Sequence, residues 1–136
     1  MPKSTTTAND TLDAFLRAVD PAWRAGATRY IALHTADPAN AGTQLTSEAT
    51  YTSYARVAVT AATGFTSAAA GSSSNTGLIQ FPQCTGGTNV ITHVTIGTAA
   101  SGAGQIIYRG SLNASLSVAF IIQPQFSIGS LTASES

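Results

Sequence analysis

Near the start of the chain, apolar side chains recur at helical spacing. Leu12, Phe15, Leu16 and Val19 stand at i, i+3, i+4 and i+7, which puts them on one stripe of a short amphipathic α-helix. Asn9 or Asp10 is available as N-cap, since a short side-chain oxygen accepts a backbone N–H left unpaired in the first turn. Asp20-Pro21 supplies the stop, because proline donates no N–H and disfavours helix in the residue before it. The preceding Met1 to Ala8, rich in Thr and without an apolar period, reads as a flexible arm until something holds it. Leu12, Phe15, Leu16 and Val19, with nearby Trp23, form a candidate interface, docking either on the rest of the fold or on a neighbouring subunit.

Near residue 25 the period changes from helical to two. Ile31 and Leu33 alternate with Tyr30, Ala32 and His34, and Ala55, Val57 and Val59 alternate with Tyr54, Arg56 and Ala58. Both segments therefore read as half-buried strands. Further strand-like runs follow at 78–81, 90–96, 105–109, 117–122, 125–128 and 131–133, separated by turn-forming clusters such as Gly71 to Asn75, Cys84 to Asn89 and Thr98 to Gly104. No second helical segment is available for crossovers, so a βαβ sheet is excluded in favour of antiparallel pairing. The expected fold is all-β: an antiparallel jelly-roll-like β-sandwich over residues 25–136, preceded by the arm and helix of residues 1–24. At 136 residues the chain can bury one core and is too short for two.

Composition changes what that sandwich presents. Charged residues make up only 9% of the chain, against about 25% in an ordinary soluble domain, so much of the surface must be neutral. Ala, Thr, Ser and Gly fill about half of the positions. Small uncharged side chains lose little hydration and little rotamer entropy on burial, which suits packing against neighbouring protein. A net charge of zero lacks the basic footprint of a nucleic-acid binder. The longest apolar run, Val118 to Ile122, falls far short of the roughly twenty residues of a membrane span. Neither nucleic acid nor membrane is an expected partner. The first ten residues lack the apolar region of a secretory signal, and the lone Cys84 has no intrachain disulfide partner. Synthesis in the cytosol follows as the expectation.

The candidate chemistry is sparse. Within the β region the acids are Asp37 and Glu48, with Glu135 at the expected frayed end. A glycosidase needs two carboxylates flanking a cleft; Asp37 and Glu48 instead share one loop-rich segment, where Asp37-Pro38 starts a turn and Glu48 can pair with Arg56. His34 and His93 each take one position of an alternating strand, His93 on the side of Ile91 and Thr95. Neither has a second His at ligand spacing, so hydrogen-bonded sheet histidines are expected and no metal. Ser72, Ser73 and Ser74 lack the elbow that exposes a nucleophilic serine. The Gly97 to Gly104 run has no Lys-Ser/Thr to reach a phosphate and reads as a hairpin connection whose glycines supply positive φ. Cys84 has no neighbouring cation to favour its thiolate and reads as a packing residue. Among the aromatics, Tyr108 reads as a sandwich corner, while Tyr30 and Tyr54 remain open between corner and contact roles. No enzyme activity and no cofactor are expected.

One stretch carries a further signal: Tyr30 to Val59, YIALHTADPANAGTQLTSEATYTSYARVAV. With Cys84-Thr85-Gly86-Gly87-Thr88, Ile91 to Gly97 and Tyr108-Arg109-Gly110-Ser111-Leu112, it resembles small virion structural proteins of tailed bacteriophages, over most of the chain beyond residue 29. In such proteins the acid followed by Tyr-x-Arg recurs. The resemblance implies a structural clamp of Asp37, Glu48, Tyr54 and Arg56. It implies a small β-sandwich present in many copies, most simply a head decoration (cement) protein assembled in the host cytoplasm. Such a protein would sit on the capsid exterior as a dimer or trimer and bridge major capsid proteins; the alternative is a tail or tail-fibre module.

Overall fold

The computed structural model describes residues 1–136. One helix, α1 (Thr5–Arg17), and a 3-10 turn (Ala22–Ala25) precede eight strands: β1 (Thr28–His34), β2 (Val57–Thr60), β3 (Ser72–Ser74), β4 (Ile79–Gln80), β5 (Asn89–Gly97), β6 (Ile106–Val118), β7 (Gln125–Phe126) and β8 (Thr132–Ser134). The fold is antiparallel and mostly β with one short helix. Its central sheet has the order β2-β1-β5-β6, and two ribbons, β3-β8 and β4-β7, accompany it. The layer opposite the sheet is thus built from two ribbons and not from a second four-stranded sheet, because Gly, Ser and Pro interrupt the chain every few residues from 61 to 88 and from 119 to 131.

Register assigns the faces. Ile31 lies opposite Ile96 and Leu33 opposite Val94, and these four meet Ile79, Phe81, Leu131, Tyr51 and Cys84 in one buried cluster. The ribbons therefore pack on this face, and each fully buried side chain such as Phe81 or Ile31 contributes about 1.5–3 kcal/mol. Tyr54 stacks on Phe81, with ring centroids 6.3 Å apart. Buried Asn75 pins the two loops that flank the ribbons: its Nδ2 donates to Gly77 O and Ser127 O, and its Oδ1 accepts from Leu131 N.

β1 is not half-buried, as its alternation suggested. Ala32 and His34, on the face away from that cluster, are as inaccessible as Ile31 and Leu33, because the excursion after β1 folds back over them. Alternation also fails at His93. A register shift between Ile91 and His93 turns Ile91 into the core with Val94, while His93 stays opposite His34 on the other face. An inserted bulge reverses side-chain direction, which a period of two cannot anticipate.

Other boundaries move for identifiable reasons. Helix α1 begins at Thr5 with Ser4 as N-cap, its side chain accepting from Thr7 N at 3.3 Å, one turn before Asn9 or Asp10. It ends at Arg17, where Ala18 turns left-handed (φ 54) and Val19 N donates to Asp13 O at 3.2 Å; Val19 lies outside the helix. Tyr54, Ala55 and Arg56 precede β2 instead of opening it. Residues 119–122 are a turn and not the end of a strand: Cys84 holds both sides of it through Ile121 N to Cys84 O and Cys84 N to Ile122 O, each 2.9 Å.

The N-terminal arm is held by the chain itself. Met1 N donates to Ser134 O at 2.8 Å and Arg109 N donates to Pro2 O at 2.9 Å, so the arm covers part of the outer edge of β6, which otherwise exposes unpaired backbone groups. Glu135 is not frayed either: Lys3 Nζ lies 2.6 Å from its Oε1, Tyr108 OH donates to the same carboxylate, and its own N–H reaches Gly71 O.

Candidate functional site

Three of the four residues expected to form a clamp come together. Arg56 Nε and Nη2 reach Glu48 Oε1 and Oε2 at 2.6 and 2.8 Å, a bidentate arrangement that matches the guanidinium fork to a carboxylate. The remaining donors go to Ala99 O at 2.9 Å and Gly102 O at 2.6 Å. Tyr54 OH donates to Glu48 Oε1 at 2.9 Å and accepts from Leu33 N at 3.1 Å. That last contact explains why Tyr54 lies outside the strand: β2 pairs with β1 only from Thr28 to Ile31, so the N–H of Leu33 needs a side-chain partner. Burial pushes the Tyr54 hydroxyl well above the ordinary phenol value and the Tyr51 hydroxyl, which donates to Pro82 O at 2.8 Å, up to about 12.

Asp37 stands apart from this group. It caps its own turn by accepting from Ala39 N at 2.9 Å and pairs with Arg109 Nη1 at 2.6 Å, while Arg109 Nη2 donates to Asn40 Oδ1 at 2.6 Å. The bond from the Ala39 N–H, aided by Arg109, holds the Asp37 carboxyl below its usual value. Asp37 and Glu48 are each committed to an arginine and form no opposed pair across a cleft.

Gln44, which carries no local signal in the sequence, locks the β5–β6 connection. Fully buried, it donates to Tyr30 O at 2.9 Å and accepts from Ala99 N at 3.2 Å. A Cβ on Gly97 would come 2.1 Å from the Gln44 amide, and one on Gly104 would come 2.4 Å from its Oε1. These two glycines are required by close approach; in that loop only Gly102 has positive φ. His34 completes the packing, with Nδ1 2.8 Å from Thr46 O and Nε2 2.8 Å from Thr95 Oγ1. Burial holds its imidazole below the ordinary value, which fits a neutral ring donating through Nδ1 and accepting from the Thr95 hydroxyl.

The most consequential feature is the orientation of α1. The helix attaches through its polar side: the Ser4 and Thr7 hydroxyls lie 2.7 and 2.6 Å from Ile106 O, and Gln105 Nε2 and Trp23 Nε1 donate to Asp10 Oδ2 at 2.9 and 3.1 Å. Ser4 and Thr7 are buried, whereas Leu12, Phe15 and Leu16 are 56%, 81% and 79% exposed. With 3.6 residues per turn, the apolar stripe is rotated roughly 130° from the attached face. At this helix the hydroxyls of Ser4 and Thr7 are hidden while three large apolar side chains are displayed. Trp23 lies at the foot of the helix, and Val19 is exposed beyond its end.

Beside α1 runs a groove. One section, of about 530 Å³, is lined by Phe15, Trp23, Thr11, Arg29, Ile107 and Tyr108. A second, of about 290 Å³, shares Arg29, Ile107 and Tyr108 and adds Phe65 and Ala133. Five of the six Lys and Arg side chains have carboxylate partners, namely Lys3, Arg17, Arg24, Arg56 and Arg109. The sixth is Arg29, whose Nη1 reaches only Gly26 O and Thr28 O at 3.2 Å each. Nothing in the sequence marks Arg29; only the folded charge pairing isolates it.

Among curated proteins nothing matches the chain. A protein-family model described as Podophage GP4 fiber I protein gp80 matches residues 2–134.

Proposed function

The chain belongs to this family and is a bacteriophage virion structural protein, and from that premise we propose that it serves as a non-enzymatic assembly module of a fibre attached to the virion. The carrying observation is the outward stripe of Leu12, Phe15 and Leu16 on a helix fixed to the body by its polar face. Large apolar side chains held outward on a rigid helix are a contact surface, since water contact with them is what binding removes. Catalysis has no comparable support, because the polar residues that might carry it are occupied in holding loops together.

A fibre role fits a family of podophage fibre proteins. Head decoration, with the major capsid protein as partner and the capsid exterior as location, is the second reading; the same stripe and the low-charge surface would also suit a lattice of neighbouring capsomers. Quantitative mass spectrometry of purified particles separates the two. A fibre subunit is expected at a few to some dozens of copies per particle, and copies by the hundreds would overturn the fibre assignment in favour of decoration. Absence from particles would overturn both.

A further inference from the structure

The stripe and the groove are one surface. Phe15 is the edge of the outward stripe and also a wall of the groove, so the exposed side chains of Leu12, Phe15 and Leu16 adjoin a trough whose apolar lining includes buried Ile107 and half-buried Tyr108. A convex ridge beside a concave trough of similar chemistry can pair with itself, because a two-fold axis brings the ridge of each copy to the trough of the other. The sizes agree. An apolar cavity of about 150 Å³ accommodates benzene, so sections of about 530 and 290 Å³ have room for a Phe and neighbouring Leu side chains.

Charge selects the occupant further. The trough holds Arg29, the one side-chain cation without a carboxylate partner. Asp13 follows Leu12 on α1, flanks the Leu16 edge of the stripe, and is engaged only by an exposed i,i+4 pair with Arg17 at 3.2 Å. Such pairs are weak and readily exchanged. The same walls also carry Lys3, Thr7, Thr11, Glu135 and Ser136, with Lys3 and Glu135 already paired to each other, which leaves Arg29 as the side-chain cation free to meet an incoming carboxylate.

We propose that a second copy of this chain occupies the groove: α1 of each copy lays Leu12, Phe15 and Leu16 into the trough beside the other's α1, and Asp13 of each meets Arg29 of its mate. This deepens the assembly assignment above by naming the partner, but it is tested in solution, where the mass of the species is independent of where the protein sits on a virion. A monomer in solution with the expected particle copy number would sink the pairing alone; a dimer absent from particles would sink the assembly role alone.

The experiment is sedimentation equilibrium of the full chain across a concentration series. A dimer is expected for the unaltered protein. Phe15→Ser, at a solvent-facing position, should weaken dimerisation by about tenfold or more while the far-UV spectrum and melting temperature stay in place. Arg29→Glu should weaken it comparably, and adding Asp13→Arg should restore most of the loss. A monomer at concentrations near 1 mM, a level that detects even contacts of about 4 kcal/mol, would overturn the proposal. So would a dimer indifferent to Phe15→Ser, a charge exchange that restores nothing, or a chain that stays monomeric alone and is captured only by another virion protein.

Discussion

Replacing Arg56 by Met should be the most damaging single change in the polar framework. The side chains of Arg56 and Glu48 are 2% and 12% exposed, so the ion pair is sheltered from solvent screening. Removing the guanidinium strands a largely buried carboxylate and leaves Ala99 O and Gly102 O without their donors. Breaking a buried pair from one side costs about 3–5 kcal/mol. For 136 residues an unfolding entropy of about 2.1 cal/mol/K per residue converts that to a fall in melting temperature of roughly 10–18 °C. Differential scanning calorimetry, with urea melts to check that the m-value is unchanged, reads the effect. Glu48→Met combined with Arg56→Met is the informative partner, because it removes the orphaned charge as well. If the cost arises from that charge, the double variant will be less destabilised than the sum of the singles by about 2 kcal/mol. A loss below about 1 kcal/mol in Arg56→Met, or strict additivity of the pair, would refute the assignment of this ion pair as a lock on the 98–104 loop.

Four further outcomes rest on the same structure. Because burial depresses the His34 pKa, the unfolded chain takes up that proton first; stability should be flat above about pH 6.5 and decline below it, and His34→Gln should remove that upper shoulder from a pH series of urea melts. A second decline should follow below about pH 4, where Asp37, held down by the Ala39 N–H and Arg109, and Glu135, where the bonds from Lys3 and Tyr108 outweigh burial, must be protonated. Gly97→Ala should cost about 1–3 kcal/mol by overpacking against Gln44, and most of that penalty should vanish in a Gln44→Ala background, measured by a double-mutant cycle in thermal melts. Ile121 is a β-branched residue at φ 69 in an exposed turn, so Ile121→Gly should raise stability by about 0.5–1 kcal/mol; a loss in chemical denaturation would show that its side chain contributes more than its backbone costs.

The predicted elements compare unevenly with those observed, and the pattern has a cause. β1 and β5 are legible because alternation of Ile, Leu and Val is a local property fixed by the pleat. The pairing of Glu48 with Arg56 is legible because a separation of eight residues and one turn leave few other partners for either charge. Gln44, Arg29 and Arg109 are not legible: Gln44 matters because Gly97 and Gly104 come to it from far along the chain, and Arg29 stands out because every other Lys and Arg side chain has a carboxylate partner. The hydroxyls of Ser4 and Thr7 left one trace, a Ser ahead of a helix-compatible run, which is itself a capping signal. Their second role, satisfying the carbonyl of Ile106 on a sheet edge about a hundred residues away, has no sequence signature.

By itself, then, the sequence determined that the chain is antiparallel and mostly β and that one amphipathic helix precedes the strands. These follow from period, spacing and residue chemistry, which act over a few neighbouring positions. Only the tertiary structure decided which side of that helix faces the body. An amphipathic pattern ordinarily buries its apolar stripe, but here the edge of β6 offers an unpaired carbonyl and Gln105 needs a partner, and buried polar groups are costly to leave unsatisfied. The helix answers with Ser4, Thr7 and Asp10, and Leu12, Phe15 and Leu16 are left facing outward.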